Sequence, residues 1–305
     1  MRRSLRVGFI AVLLALSAVA VTAQTIRVAT YNLRNYLADD RIAHGIFYQS
    51  YPKPEAAKAA VRATIRAVSP DILALQEMGG PAQLTELQRD LEREGLSYPY
   101  AFVLRGPDEK RHLAVLSRVA WTETVGHTTL DFPYRGAREV VKRGLLEVVF
   151  AGEAGEPDWR LFICHLKSRY TDFEDDPQSA ARRHGEARAI RELLRRRADA
   201  GQDIFLLAGD LNSTQDDRPW ARLTKIGARE LTRPVPAADS RGHVWTYFYP
   251  KQATYERVDA FLASPALWPA INGGRGFIAD GPESAIASDH RMVYLDLTLG
   301  RLPTD

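Results

Sequence analysis

Apolar and polar positions along the chain alternate between a strand rhythm and a helix rhythm from residue 26 onward. Residues 26–33 (IRVATYNL) are β-rich and apolar, and 71–76 (DILALQ) and 203–208 (DIFLLA) have the length and apolar content of buried strands. Between the first two of these runs, Ala57, Val61, Ile65 and Val68 recur at helical spacing within 54–68, with Pro54 at the start. A second amphipathic helix is expected over 81–94, ended by Gly95, and a long one rich in Arg and Glu over 178–200. Further strands are expected at 100–104, 113–117, 121–128, 145–150, 160–165, 258–263 and 292–297. There is no Pro/Ser-rich linker or low-complexity tract, and no repeat of roughly 20–50 residues, which argues against a solenoid or propeller. Many strands separated by helices favour one mixed α/β domain with two packed sheets and helices on the outside.

The first 23 residues stand apart from that rhythm. Arg2, Arg3 and Arg6 precede an apolar stretch over 7–21, and Val21-Thr22-Ala23 resembles a small-residue cleavage site. This is the layout of a secretory signal peptide over residues 1–23, with a mature domain over 24–305. The apolar stretch falls short of the roughly 20 residues needed to span a bilayer. The expectation is therefore a secreted or periplasmic protein with no stable membrane insertion. The formal net charge of +3 does not survive removal of this leader, because without its three arginines the 41 basic residues fall level with the 38 acidic ones. Attraction to a polyanion must then be local. The 305 residues include one cysteine, Cys164, so no intrachain disulfide and no cysteine-rich zinc site can form. Cys164 lies in an apolar strand run, reads as a packing residue and has no activating neighbours.

The chemistry is concentrated where apolar runs stop. Asn32 closes the first run, Gln76-Glu77 the second, and His165-Leu166-Lys167-Ser168 the run over 160–165. Asp210-Leu211-Asn212 follows 203–208, Ser288-Asp289-His290 precedes 292–297, and Asp259 lies inside an apolar run. One polar residue at a strand end is commonly a turn former. Six such places in one chain are better explained by convergence on a site, because burying unpaired charge is costly.

The segments ATYNLRN, LQE, HLKS, GDLN, RVDAFLAS and SDH occur in that order from about residue 26 to 299. Together they resemble the endonuclease/exonuclease/phosphatase superfamily, the deoxyribonuclease-I-like fold. The resemblance implies a four-layered α/β sandwich and divalent-metal-dependent hydrolysis of phosphate esters. It implies Glu77 as the main metal ligand with Asn32 and Asp289 in support, an oxygen set suited to Mg²⁺ or Mn²⁺. It implies Asp210 as the group that orients or deprotonates water and Asn212 as a holder of the scissile phosphate. His165 and His290 would contact phosphate oxygens, and Asp259 would pair with His290. Such chemistry suits a phosphodiester, whose hydrolysis needs a base near the water and cationic donors for the developing charge. Lys167 and Arg169 follow His165 and are candidate phosphate contacts, with Lys167 favoured and a solvated loop charge as the alternative; Arg143 is a further candidate.

Departures from named branches narrow the substrate. The cysteine pairs of animal secreted deoxyribonucleases are missing. Tyr255-Glu256-Arg257-Val258-Asp259 stands where inositol polyphosphate phosphatases carry Trp-Cys-Asp-Arg. His165 occupies a strand end where apurinic endonucleases carry tyrosine. The leading expectation is a nuclease acting on DNA or RNA, with a sphingomyelinase-like or other phosphodiesterase or phosphatase as the alternative. A catalytically inactive binding module on the same fold is a rival of another class, and loss of Glu77, Asp210 or His290 would be its signature. No protein partner is implied, and a monomer is expected.

Four readings concern the surface. His184 is expected on an exposed helical face with Glu186 and Glu192, while His44, His112, His127 and His243 have no motif around them. The aromatic segment 244–250 is either a rim loop that stacks on bases or an edge strand packed on the core. It is also the one stretch expected to compare with the apolar docking hairpin of a lipid hydrolase. The insert 38–53, with His44, Phe47, Tyr48 and Tyr51, is a candidate for shaping the cleft.

Overall fold

The computed structural model describes residues 25–152, 156–171 and 173–302; the expected leader lies outside the described residues. Two sheets carry the fold. The first has seven strands in the order Ala237–Ala238, Gly276–Ile278, Val293–Thr298, Thr25–Tyr36, Ile72–Met78, His112–Ser117, Tyr100–Leu104. The second has six, in the order Arg233–Pro234, Asp259–Ala263, Phe205–Asp210, Trp159–His165, Leu145–Phe150, Glu123–His127. Both are mixed. Thr25–Tyr36 runs parallel to Ile72–Met78, and Trp159–His165 runs parallel to Phe205–Asp210, while their other long neighbours are antiparallel. Antiparallel neighbours can be joined tightly, whereas each parallel pair needs a crossover. Here the crossovers are helices Glu55–Val68 and Ala180–Asp199.

The central strands are apolar on both faces, and the period of two sorts their side chains between two cores. Val28, Ile72, Ala74 and Val115 of the first sheet meet Val148, Leu161, Ile163, Leu206 and Phe261 of the second. The alternate residues Tyr31, Leu73, Leu75 and Leu116 face outward and pack under Val61, Ile65, Leu84, Leu87 and Leu91 of the two helices on that side. Phe162, Cys164, Phe205 and Leu207 do the same under Ile190, Leu194, Trp220 and Leu223. The result is helix, sheet, sheet, helix, as the resemblance implied. Among the described residues no helix is long and apolar enough to cross a membrane.

The helix ends follow local chemistry. Pro81 opens helix Pro81–Arg93, where its missing N–H costs nothing. At the other end Gly95 takes a φ of +88°, which lets the Leu96 N–H close on the Leu91 carbonyl at 2.9 Å. The strand expected over 121–128 is shorter, Glu123–His127, and Trp121 packs beside the inter-sheet core instead.

Two surface expectations are corrected. Glu186 does not share an exposed face with Glu192; it is fully buried. His184 is half-buried and accepts a hydrogen bond from Arg222 Nε at 3.2 Å. His127, which has no motif around it, is half-buried and joins a network around the buried Glu147 carboxylate, which lies 2.8 Å from it, 2.7 Å from Arg197 and 3.2 Å from Arg160. Burial pushes the Glu147 carboxyl up, but hydrogen bonds from His127 and Arg197 outweigh it and hold its pKa below the usual range. Glu147→Ala would leave the half-buried Arg160 and Arg197 and the His127 ring without the buried carboxylate they share and is expected to cost about 1–3 kcal/mol in urea unfolding. Because the folded pKa is depressed, the stability from this carboxylate is complete above the ordinary value of 4.5. It is lost as pH falls through the lower folded value, so wild type and variant should converge in acid. A constant gap down to the acid transition would refute this assignment.

Candidate active site

Strand register brings the site together. In the second sheet His165 lies opposite Asp210, and Asp210 opposite Asp259, so three strand ends set three titratable groups in a row. In the first sheet Asn32 lies opposite Gln76, one residue before Glu77. The ladder there is irregular, with register shifts between Asn32 and Tyr36 and between Leu75 and Met78. Glu77 takes a φ of +57°, and Arg34, Asn35 and Asn212 are also left-handed at +46°, +56° and +48°. Non-glycine residues in this region carry strain. Here four of them surround one cavity of about 380 Å³.

Asp210 is the hub. Asn32 reaches across from the other sheet and donates from Nδ2 to Asp210 Oδ2 at 2.9 Å. Asn212 donates its backbone N–H to Oδ1 at 2.8 Å and its amide to Oδ2 at 3.2 Å. Burial raises the Asp210 carboxyl to about 7 against the pull of His290, and Asp259 adds to the rise. His290 sits between two carboxylates, with Nδ1 2.9 Å from Asp259 and Nε2 3.8 Å from Asp210. Burial alone would lower it, yet Asp259 and Asp210 raise it to about 10, so this imidazole is held as a cation. The second histidine differs. His165 Nε2 is 3.4 Å from Asp210, but burial, then Arg143 and His290, drive its pKa well below the ordinary value. His165 is therefore neutral, and among the described residues its Nδ1 has no hydrogen-bond partner.

Neighbouring segments fix these groups. Ser288 Oγ donates to the Asn32 carbonyl at 2.9 Å and accepts the His290 N–H at 3.1 Å. Thr246 Oγ1 accepts the N–H groups of Val258 and Asp259. From the long helix, buried Glu186 accepts the N–H groups of Lys142 and Lys167. Arg183 of the same helix donates to Ser213 Oγ at 2.8 Å and to the Lys167 carbonyl at 3.2 Å.

The cavity is lined by Glu77, Asp210, Asn212, Asp289 and His290, and also by Arg143. Glu77 Oε2 accepts the Asn35 N–H at 2.8 Å, and Asp289 lies 3.6 Å from Arg34. Arg143 is buried beside Asp108 at 3.2 Å. Lys167 is placed differently from a phosphate contact. Its ammonium is hydrogen-bonded to the carbonyls of Ser168 and Tyr170, and Ser168 and Tyr170 line the cavity in its stead. Sequence reasoning missed Arg34, Asn35, Arg111 and Tyr170, all of them lining residues, while Tyr247, also in the lining, belongs to the aromatic segment read as one candidate for a rim loop. Arg34 and Asn35 stood inside the ATYNLRN segment; Arg111 carried no signal, and only the fold brings its Nε 2.7 Å from Asn35.

The aromatic segment is neither a core edge strand nor a plain loop. Tyr247–Tyr249 pairs with Thr254–Glu256 as a separate hairpin, and Tyr247 packs its ring 4.7 Å from that of His290. It is also not the one apolar hairpin on the surface. Residues of the insert form a second, Asp39–Ala43 with Ile46–Tyr51, which leaves Ile42 76% and Phe47 64% exposed.

The carboxylates of Glu77 and Asp289, a raised Asp210 carboxyl and the His290 imidazolium thus share one arginine-lined cavity. A family model described as the Endonuclease/Exonuclease/phosphatase family matches residues 29–290. The chain belongs to that family, whose members are phosphoric ester hydrolases that use divalent metals. Solved structures agree in fold. The chain is similar to an endonuclease/exonuclease/phosphatase from Bacteroides vulgatus, with 15% identity and TM-score 0.63, covering 90% of this chain and 98% of the other. The human Nocturnin catalytic domain, with bound sulfate, has 14% identity and TM-score 0.61, covering 89% and 93%. Sphingomyelinase C from Streptomyces griseocarneus has 16% identity and TM-score 0.59, covering 90% and 99%. A search of curated protein sequences finds no match.

Proposed function

We propose that this chain is an exported, divalent-cation-dependent phosphodiesterase whose substrate is a nucleic acid. The observation that carries the phosphodiesterase reading is the pairing at Asp210: a buried carboxyl raised toward neutrality beside an imidazolium held by Asp259. A base of that pKa can take a proton from water near neutral pH. The His290 cation and the arginines of the cavity can hold charge that develops on the phosphoryl oxygens, and Asn212 can orient the ester. Glu77 and Asp289, with the amide oxygen of Asn32, fit a hard cation such as Mg²⁺ or Mn²⁺, which when bound would polarise a phosphoryl oxygen. Asp210, Asp259 and His290 have ligand atoms within 4.8 Å of one another and form a second place where an ion could sit. There, however, His290 Nδ1 is already committed to Asp259. The nucleic-acid reading draws on the arginine lining and on Tyr247 and exposed Tyr170 at the rim, where bases could stack. Export draws on the amino-terminal pattern, and sequencing that finds Met1 on the mature native protein would refute it.

One observation favours a second reading, a lipid phosphodiester. Apolar Ile42 and Phe47 on an isolated hairpin could enter a lipid interface, and the hairpin continues directly from the strand that carries Asn32. Purified mature protein with Mg²⁺ or Mn²⁺ should be tested in parallel on plasmid DNA, RNA, sphingomyelin vesicles and an aryl phosphodiester. Faster cleavage of nucleic acid is expected, abolished by excess chelator and restored by either metal. Sphingomyelin turnover with DNA and RNA intact would overturn the nuclease reading. Full activity in chelator with no bound metal would overturn the metal requirement.

A further inference from the structure

A second concentration of positive charge lies in the helix layer outside the six-stranded sheet, where the catalytic groups make no use of it. Helices Ala180–Asp199 and Arg218–Thr224 share the same outer core. A concavity of about 380 Å³ opens there, lined by His184, Arg191, Arg218, Arg222 and Lys225, with Ala221 and Gly227 completing the wall. Among the described residues no carboxylate lines it. Among the described residues Arg218, Arg222 and Lys225 join no ion pair within 4.0 Å, and Arg191 shares its charge with Glu192 at 2.6 Å. Nothing in the packing requires this convergence, since Arg218, Arg222 and Lys225 are exposed and could turn apart into water. Like charges gathered in one concavity repel one another, so the arrangement favours an anion between them.

The histidine reports the same field. Its Nε2 accepts from Arg222 at 3.2 Å, which places the proton on Nδ1 and leaves the ring uncharged. Burial, then Arg222, Arg218, Arg188 and Arg191, lower its pKa. Among the described residues His184 Nδ1 and Arg191 Nε are buried and have no hydrogen-bond partner. Arginine is the side chain best matched to phosphate, because its planar fork offers paired donors.

The concavity is tied to the catalytic end of the fold from both sides. Arg183, next to His184, holds Ser213 and the carbonyl of Lys167. The loop that leaves Asn212 enters the second helix at Arg218. We propose that this concavity is a second anion site, which takes a backbone phosphate of a polynucleotide whose scissile phosphate occupies the Asp210 cavity. The inference rests on the nucleic-acid reading above. It supplies the local attraction that a near-neutral mature chain needs.

The test compares Arg218→Ala/Arg222→Ala with the parent. Binding of a labelled single-stranded oligonucleotide is measured by anisotropy over a salt series, in the Asp210→Asn background with Mg²⁺ to suppress turnover. Turnover of an aryl phosphodiester is measured with Asp210 intact. The double substitution is expected to weaken oligonucleotide binding by roughly tenfold or more and to lower the salt slope by about one to two. Aryl phosphodiester kcat/KM and the melting temperature should not change. Oligonucleotide affinity and slope equal to the parent's would overturn the second site while leaving the nuclease reading intact. A parent that neither binds nor cuts nucleic acid would overturn both. Arg218- and Arg222-dependent binding to anionic vesicles, with no binding of the oligonucleotide, would replace the polynucleotide by a lipid surface and so also overturn the proposal.

Discussion

Asp210→Asn is expected to lower kcat on any phosphodiester substrate by roughly 10²–10⁴-fold, the range that removal of a positioned base commonly costs. Three facts make this position sensitive. The carboxyl is buried, its pKa is raised to about 7, and it faces two histidines of opposite charge state, neutral His165 and cationic His290. The amide keeps the shape but removes the base. It also turns a donor toward the Asn32 and Asn212 amides, which now donate to Asp210 Oδ2, and a lost buried hydrogen bond costs about 1–3 kcal/mol. Melting curves must therefore accompany the kinetics. A folded variant with near-parental kcat would remove Asp210 from the base role and shift attention to water held elsewhere in the cavity.

Gly209→Ala should have the largest effect on folding. The strand Phe205–Asp210 approaches its parallel neighbour so closely that a Cβ at position 209 would lie 1.9 Å from the Cys164 carbonyl oxygen. The backbone there has a φ of +142°, which glycine adopts freely and alanine does not. Both atoms in the clash are anchored. Cys164 lies opposite Gly209 in the ladder, and the next pair along is His165 and Asp210. Relief by strand movement would separate the His165 and Asp210 side chains. A loss above about 4 kcal/mol is expected, in the range reserved for backbone strain and core disruption. Accumulation in insoluble form is the expected expression result. A soluble, cooperatively unfolding Gly209→Ala protein with parental stability would show that this close approach is not needed.

The two expectations differ in how visible their causes were beforehand. Asp210 was legible as a candidate site residue because it ends an apolar run, and a strand cannot bury a carboxylate there without partners; the resemblance implied its role as base. The glycine was legible only as part of the GDLN segment; its reason is a distance between two strands that are 45 positions apart, as the pairing of Cys164 with Gly209 shows.

Sequence alone determined the layers and the identity of the polar groups at the strand ends. An apolar run with period two reports which residues can face a core, and a period near 3.6 reports a helix, so the sandwich followed from patterning and from the order of motifs. Direction and partnership could not follow in the same way. Lys167 and Arg143 were both candidate phosphate contacts, yet one ammonium is bound to the carbonyls of its own loop and the other side chain lines the cavity. Glu186 looked like a solvated helical charge because its helix is rich in arginine, but it is buried to hold two backbone N–H groups. The apolar hairpin of the 38–53 insert and the cationic concavity of Arg191, Arg218, Arg222 and Lys225 were likewise decided by tertiary structure. Local periodicity records the face on which a residue lies, whereas the partner it meets there depends on segments folded in from elsewhere in the chain.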